Sequence, residues 1–136
     1  MSNATKEKQF MITVDNRVGT LAEVTNVIAA SGINLVALCA YAVDNKGVIM
    51  FVSDNNTEAK KLLKSKRYDV REEDVIVVWL SNKPGAMQAV SQKIANVGID
   101  LNLVYGSVDQ NGKTSRMVLI TEDNGSVLMA LNFAGK

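Results

Sequence analysis

The sequence predicts an α+β protein made of two βαββαβ units in tandem, and three internal matches in chain order predict it. Arg17-Val18-Gly19-Thr20-Leu21-Ala22-Glu23-Val24 aligns with Lys83-Pro84-Gly85-Ala86-Met87-Gln88-Ala89-Val90, with Asn16 and Asn82 preceding them in register. Ser31-Gly32-Ile33-Asn34-Leu35 aligns with Val97-Gly98-Ile99-Asp100-Leu101 at the same separation of 66 positions. Val52-Ser53-Asp54-Asn55-Asn56 aligns with Ile120-Thr121-Glu122-Asp123-Asn124 at 68, so the second hairpin is longer. One match would mean little; three in order with one small insertion indicate duplication.

The elements follow from local pattern. Gln9 to Val14 is a short apolar run of strand formers. A polar loop, Asp15 to Gly19, leads to Thr20, which is suited to cap a helix. Leu21, Val24, Val27 and Ile28 then recur at helical spacing. Gly32 suits the left-handed position after a helix. Leu35 to Val43 reads as a second strand, Asp44 to Gly47 as a hairpin turn and Val48 to Val52 as a third strand. Thr57 to Lys64 is a second helix and Tyr68 to Arg71 a short fourth strand. The second copy repeats the order: strand Val75 to Leu80, helix Ala86 to Asn96, strand Leu101 to Val108, turn Gln110-Asn111-Gly112, strand Arg116 to Ile120 and helix Ser126 to Asn132. The sequence ends at Lys136, so the second unit is expected to lack its last strand. The units are placed at residues 8–72 and 73–136, each a ferredoxin-like βαββαβ fold. Asp69, Glu72, Glu73 and Asp74 read as a solvated linker between them.

Composition bounds the function. Of 136 residues, 47% are apolar, and 15 basic residues stand against 14 acidic for a net charge of +1. That balance gives no field to gather nucleic acid or an anionic membrane, so neither is an expected partner. There is no histidine and one cysteine, Cys39. Without histidine, Ser-His-Asp and Cys-His catalysis are excluded, and the commonest transition-metal ligand is missing. No metal or other cofactor is expected. A lone cysteine forms no internal disulfide, which fits a reducing compartment, and Cys39 reads as a buried structural thiol. Met1 to Lys8 has no apolar core and is not a signal peptide; a cytoplasmic location is expected. The basic stretch Lys60, Lys61, Lys64, Lys66 and Arg67 reads as a solvated helix end. Trp79 reads as core or interface, with a ligand wall as the alternative.

The loops between first strand and first helix are the candidate functional segments: Asp15-Asn16-Arg17-Val18-Gly19-Thr20 and Ser81-Asn82-Lys83-Pro84-Gly85-Ala86. A helix N-terminus offers free N–H groups and partial positive charge, and glycine lets a ligand approach the backbone. Together they suit a carboxylate or phosphate. Glycine and proline also serve simply to turn a chain, and the loops alone do not choose between the two readings.

The pattern Asn-x-Pro-Gly-x-Leu between strand and helix, followed after the helix by Gly-Ile-Asn-Leu, resembles the ACT domain. The second copy shows it as Asn82-Lys83-Pro84-Gly85-Ala86-Met87 and Gly98-Ile99-Asp100-Leu101; the first as Asn16-Arg17-Val18-Gly19-Thr20-Leu21 and Gly32-Ile33-Asn34-Leu35. The resemblance spans about Lys8 to Asn132 and looks like the small stand-alone proteins of tandem ACT units. It implies a non-catalytic regulatory module that binds a free amino acid at the interface between units and modulates a partner, such as an enzyme of amino-acid metabolism acting in trans. The small size of each unit and the unfinished edge of the second copy separately predict a homodimer or larger assembly. By position it implies ligand contacts at Asn16, Gly19, Thr20, Asn34 and Leu35, and at Asn82, Gly85, Ala86, Asp100 and Leu101. Two departures matter. Val18 replaces the proline, loosening the first loop, and Asp100 replaces an asparagine, placing a negative charge where a carboxylate would bind. They give weight to an alternative: an interaction protein with degenerate pockets. An RNA-recognition fold shares βαββαβ, but its third strands would need stacking aromatics, and only Phe51 is present in theirs.

Overall fold

The structure, a computed structural model, describes residues 3–108 and 112–133. Six strands and four helices follow in the order β1 (Asn3–Asp15), α1 (Thr20–Ala29), β2 (Leu35–Val43), β3 (Lys46–Ser53), α2 (Asn56–Ser65), β4 (Asp69–Ser81), α3 (Ala86–Asn96), β5 (Leu101–Val108), β6 (Thr114–Thr121) and α4 (Asn124–Phe133). The chain divides into two compact units, Lys8–Glu73 and a second formed by Met1–Glu7 with Asp74–Lys136.

In the unit Lys8–Glu73 the hydrogen-bonded order is β2-β3-β1-β4, the last place being taken by the first residues of β4. Alternation along β1 sends Phe10 and Ile12 to one face, where they join Ile49 and Phe51 of β3, Val24 and Ile28 of α1, and Ala59 and Leu63 of α2. Phe10 and Phe51 stand opposite each other and meet edge to face, ring centres 5.5 Å apart. That geometry brings a positive ring edge to a negative ring face. Val24 and Ile28 are four apart on α1, so both meet the sheet on one stripe.

The second unit has the order β1-β4-β6-β5. Its core joins Ile76, Val78 and Leu80 of β4 to Leu119, to Val90 and Ile94 of α3, and to Val127 and Leu131 of α4. Ala4 of β1 is buried in the same cluster at 4% exposure. The Asn132 side chain clamps its backbone: the Ala4 N–H donates to Asn132 Oδ1 at 3.2 Å, and Asn132 Nδ2 donates to the Ala4 carbonyl at 3.0 Å. The expectation that this unit goes without its last strand is therefore corrected. The start of β1 fills that place, just as the start of β4 fills it in Lys8–Glu73. Asn3–Glu7 precedes Lys8 as Asp69–Glu73 precedes Asp74, at the same separation of 66.

The acidic junction is also corrected. Asp69, Glu72, Glu73 and Asp74 are not a linker but lie in β4, which runs unbroken for 13 residues. The repeat survives in detail. Asn56 Oδ1 accepts from the Ser53 N–H and hydroxyl while its Nδ2 donates to the Lys8 carbonyl. Asn124 does the same with Thr121 and the Asp74 carbonyl. Each device ties a helix start to the strand before it and to the first strand of its unit. Cys39 is half-buried in β2 rather than fully buried. Of the predicted second turn, Gln110 and Asn111 lie outside the described residues.

Candidate functional site

Both predicted loops take the same path. Gly19 and Gly85 precede the helices in the left-handed region, at φ 89° and 87°. Neither offers a side chain to cap the helix. Thr20 is the first residue of α1 rather than its cap. Its hydroxyl donates back to the Arg17 carbonyl at 3.0 Å, so it satisfies no helix N–H. The α1 N–H groups of Leu21 and Ala22 consequently meet no acceptor among the described residues.

In Lys8–Glu73 this helix start faces a hollow of about 410 Å³. Its walls are Asn16, Arg17, Gly19, Thr20, Leu21 and Ala22 on one side and Val14, Ala40, Tyr41, Ala42, Gly47, Val48 and Ile49 of the strands on the other. Small residues open it. Ala42, Gly47 and Val14 stand in one row across β2, β3 and β1, and Ala40 stands beside Ile49 and Ile12 in the next. The charges at the mouth are already matched: Asp15 pairs with Lys46 at 2.7 Å and Arg17 with Glu23 at 3.2 Å. The hydrogen bond and charge of Lys46 hold the Asp15 carboxyl below its usual range. Glu23 is held low first by the Tyr68 hydroxyl, which donates to it at 2.6 Å, and then by Arg17.

The corresponding loop of the second unit borders a hollow of about 280 Å³ against Leu80, Ser81, Lys83 to Ala86, Ala89, Val90 and Lys93. Among the described residues, none of β5 or β6 lines it. Asn82 is turned elsewhere: its Nδ2 donates to the Gly112 carbonyl at 2.9 Å.

Of the residues expected to meet a ligand, Asn16, Gly19 and Thr20 stand together at the first hollow, and Gly85 and Ala86 at the second. Asn34 and Leu35 do not join them within their unit. They sit beside Ser53 and Asp54, at the end of β3 away from Lys46 and Asp15. The two ends are seven residue steps apart at about 3.3 Å each, or ~23 Å. Asp100 and Leu101 likewise lie beside Thr121 and Glu122, at the end of β6 away from Thr114, which pairs with Ser81. A helix running the length of the sheet separates the loop from the next strand's start, and sequence proximity hides that. Sequence reasoning missed the strand wall, Ala40, Ala42 and Gly47. Its signal is the run of small residues in β2, which reads as ordinary strand until register places it over the loop. Trp79 is 36% exposed and stacks on its cross-strand partner, the Arg116 guanidinium lying 4.4 Å from the ring centre. Among the described residues no cluster of three metal-ligating His, Cys, Asp or Glu side chains occurs.

Known structures place this geometry. The fold superimposes on protein BT0572 from Bacteroides thetaiotaomicron with a TM-score of 0.90, at 26% identity, covering 97% of this chain and 90% of that one. It also matches the regulatory subunit of aspartate kinase from Thermus thermophilus, with a TM-score of 0.69 and 14% identity over 98% of both chains. The corresponding subunit from Thermus flavus gives 0.65 and 16% identity, over 99% of this chain and 97% of that one. At those identities the two subunits share the fold alone. No curated protein matches the sequence. The family model of the ACT domain pair matches residues 5–128, nearly the whole chain, and the protein belongs to that family.

Proposed function

We propose that the protein is a non-catalytic regulatory module that binds a free amino acid at its strand–helix loop and thereby modulates an enzyme in trans. The observation that carries this is the open hollow at the start of α1, where unpaired N–H groups of Leu21 and Ala22 stand beside a left-handed glycine. A carboxylate there would accept from both N–H groups and meet the positive end of the helix. Asn16 stands at the mouth and is able to bond an ammonium or a carboxylate. Gly85 and Ala86 hold the corresponding positions in the second unit, where Asn82 is engaged with the Gly112 carbonyl. Asn34, Leu35, Asp100 and Leu101 would reach such a ligand from a second copy of the chain. The Thermus aspartate kinase subunits are regulatory subunits of this fold, which supports a role in trans for an ACT pair without a catalytic domain.

A thermal-shift screen against the free amino acids tests this. A ligand at 100-fold excess over its Kd stabilises by about 2.7 kcal/mol, well within reach of the method. One amino acid should raise the melting temperature and the others should not. If none does, the reading with degenerate pockets takes its place.

A further inference from the structure

We infer that the chain holds one open amino-acid site rather than two, and that this site takes an aliphatic side chain. The inference rests on the amino-acid reading above and narrows it.

The register makes the two units comparable position by position. Ala40, Ile49 and Ile12 form one row across the first sheet; Gly106, Met117 and Val78 form the same row in the second. In the first unit Ala40 and Ile49 leave the space beside them empty, and both line the 410 Å³ hollow. In the second unit the long side chain of Met117 lies over Gly106. A Cβ built on Gly106 would run into the Met117 Sδ and the Arg116 carbonyl oxygen. Met117 packs against the apolar core of its unit. The residue pair Gly106 and Met117 thus fills from within the space that Ala40 and Ile49 leave open. An unbranched thioether suits such gap filling. Among the described residues, the hollow beside the second loop is lined by Leu80, the loop and α3.

The walls of the open hollow define its occupant. Its strand wall is small or aliphatic apart from Tyr41, Asn16 and Thr20 are the uncharged polar residues of the loop side, and its charged groups, Asp15 and Arg17, are exposed and matched by Lys46 and Glu23. A charged ligand side chain would lose water and find no free counter-charge, whereas an aliphatic one would bury apolar surface.

Calorimetry tests this, with leucine, isoleucine and valine set against lysine, aspartate and serine. One aliphatic amino acid per chain should bind, and charged ones at least about tenfold more weakly. Ala40→Gly with Ile49→Met moves the filled arrangement into the first unit and should abolish binding; Ala42→Leu should do so by a different route. Met117→Ala should raise the stoichiometry to two. Trp79 fluorescence and circular dichroism report whether each variant is folded. Preference for a charged amino acid, two sites in the unaltered protein, or folded first-unit variants that bind normally would overturn the inference while leaving the amino-acid reading standing. Binding of no amino acid at all would overturn both.

Discussion

Gly19 and Gly85 show what a single position can decide. Each sits at positive φ, near 90°, with nothing within 4 Å of where a Cβ would be. A side chain there meets no steric wall; the penalty is conformational, about 1–2 kcal/mol for an L-residue. Gly19→Ala and Gly85→Ala should each lower stability by that amount in urea, with exposed Lys61→Ala unchanged as control. Equal stability of both glycine variants would mean the loop relaxes freely. Tyr68 offers a second measurement. Burial, then its hydrogen bond to Glu23, pushes its pKa up to about 12. A raised folded-state value means that the stabilisation is complete below the ordinary tyrosine value of 10 and is lost as pH climbs from there toward 12. Spectrophotometric titration should show a late-ionising tyrosine phase, and Tyr68→Phe should remove it. Glu23→Gln should bring it only part of the way down, because burial remains. The lowered pKa of Glu23 acts on the other side: its contribution is present above the ordinary glutamate value of 4.5 and fades as pH falls below it.

At the level of elements, β1 and β4 each serve two units. The sequence made Gln9–Val14 and Val75–Leu80 legible because apolar residues cluster there. It did not reveal Asn3–Glu7 as strand, since only Ala4 of that stretch is buried and the rest is polar and exposed. A strand whose side chains are polar is recognisable only by its backbone partners. Its anchor is Asn132, also unremarkable in sequence. Asn132→Ala would leave the Ala4 N–H and carbonyl unpaired at a half-buried site, costing about 1–3 kcal/mol. Thermal unfolding should show that loss, and hydrogen exchange at Ala4 should quicken. A stable variant with protected Ala4 would show that strand pairing alone holds the segment. Asn56 and Asn124, by contrast, already stood aligned in the third repeat, although what their side chains bind came only from the structure.

For the whole molecule, the filled fourth-strand place removes one motive for self-association, the unfinished edge. Another takes its place. β2 is the outer strand of its unit, and Leu38, Tyr41 and Val43 on it are 42%, 48% and 52% exposed. An apolar outer strand is a ready partner for a second copy of itself. Sedimentation should give a species of about twice 14.7 kDa, and Val43→Lys should shift it toward monomer. A concentration-independent monomer would exclude the dimer. Among the described residues no helix is long and apolar enough to cross a membrane.

By itself the sequence determined the duplication, the βαββαβ order, the helix-facing stripes and the two glycine turns. All of these are written in periodicities of 2 and 3.6 residues or in one residue's backbone freedom, which neighbours in the chain express without help. Only the tertiary structure decided which segment occupies the fourth place in each sheet, that Asn34 and Asp100 lie a sheet length from their loops, and that the Met117 side chain lies against Gly106 where the first unit has Ile49 beside Ala40. Those outcomes depend on strand partners far apart in the chain and on the volume between packed side chains, which no local pattern records.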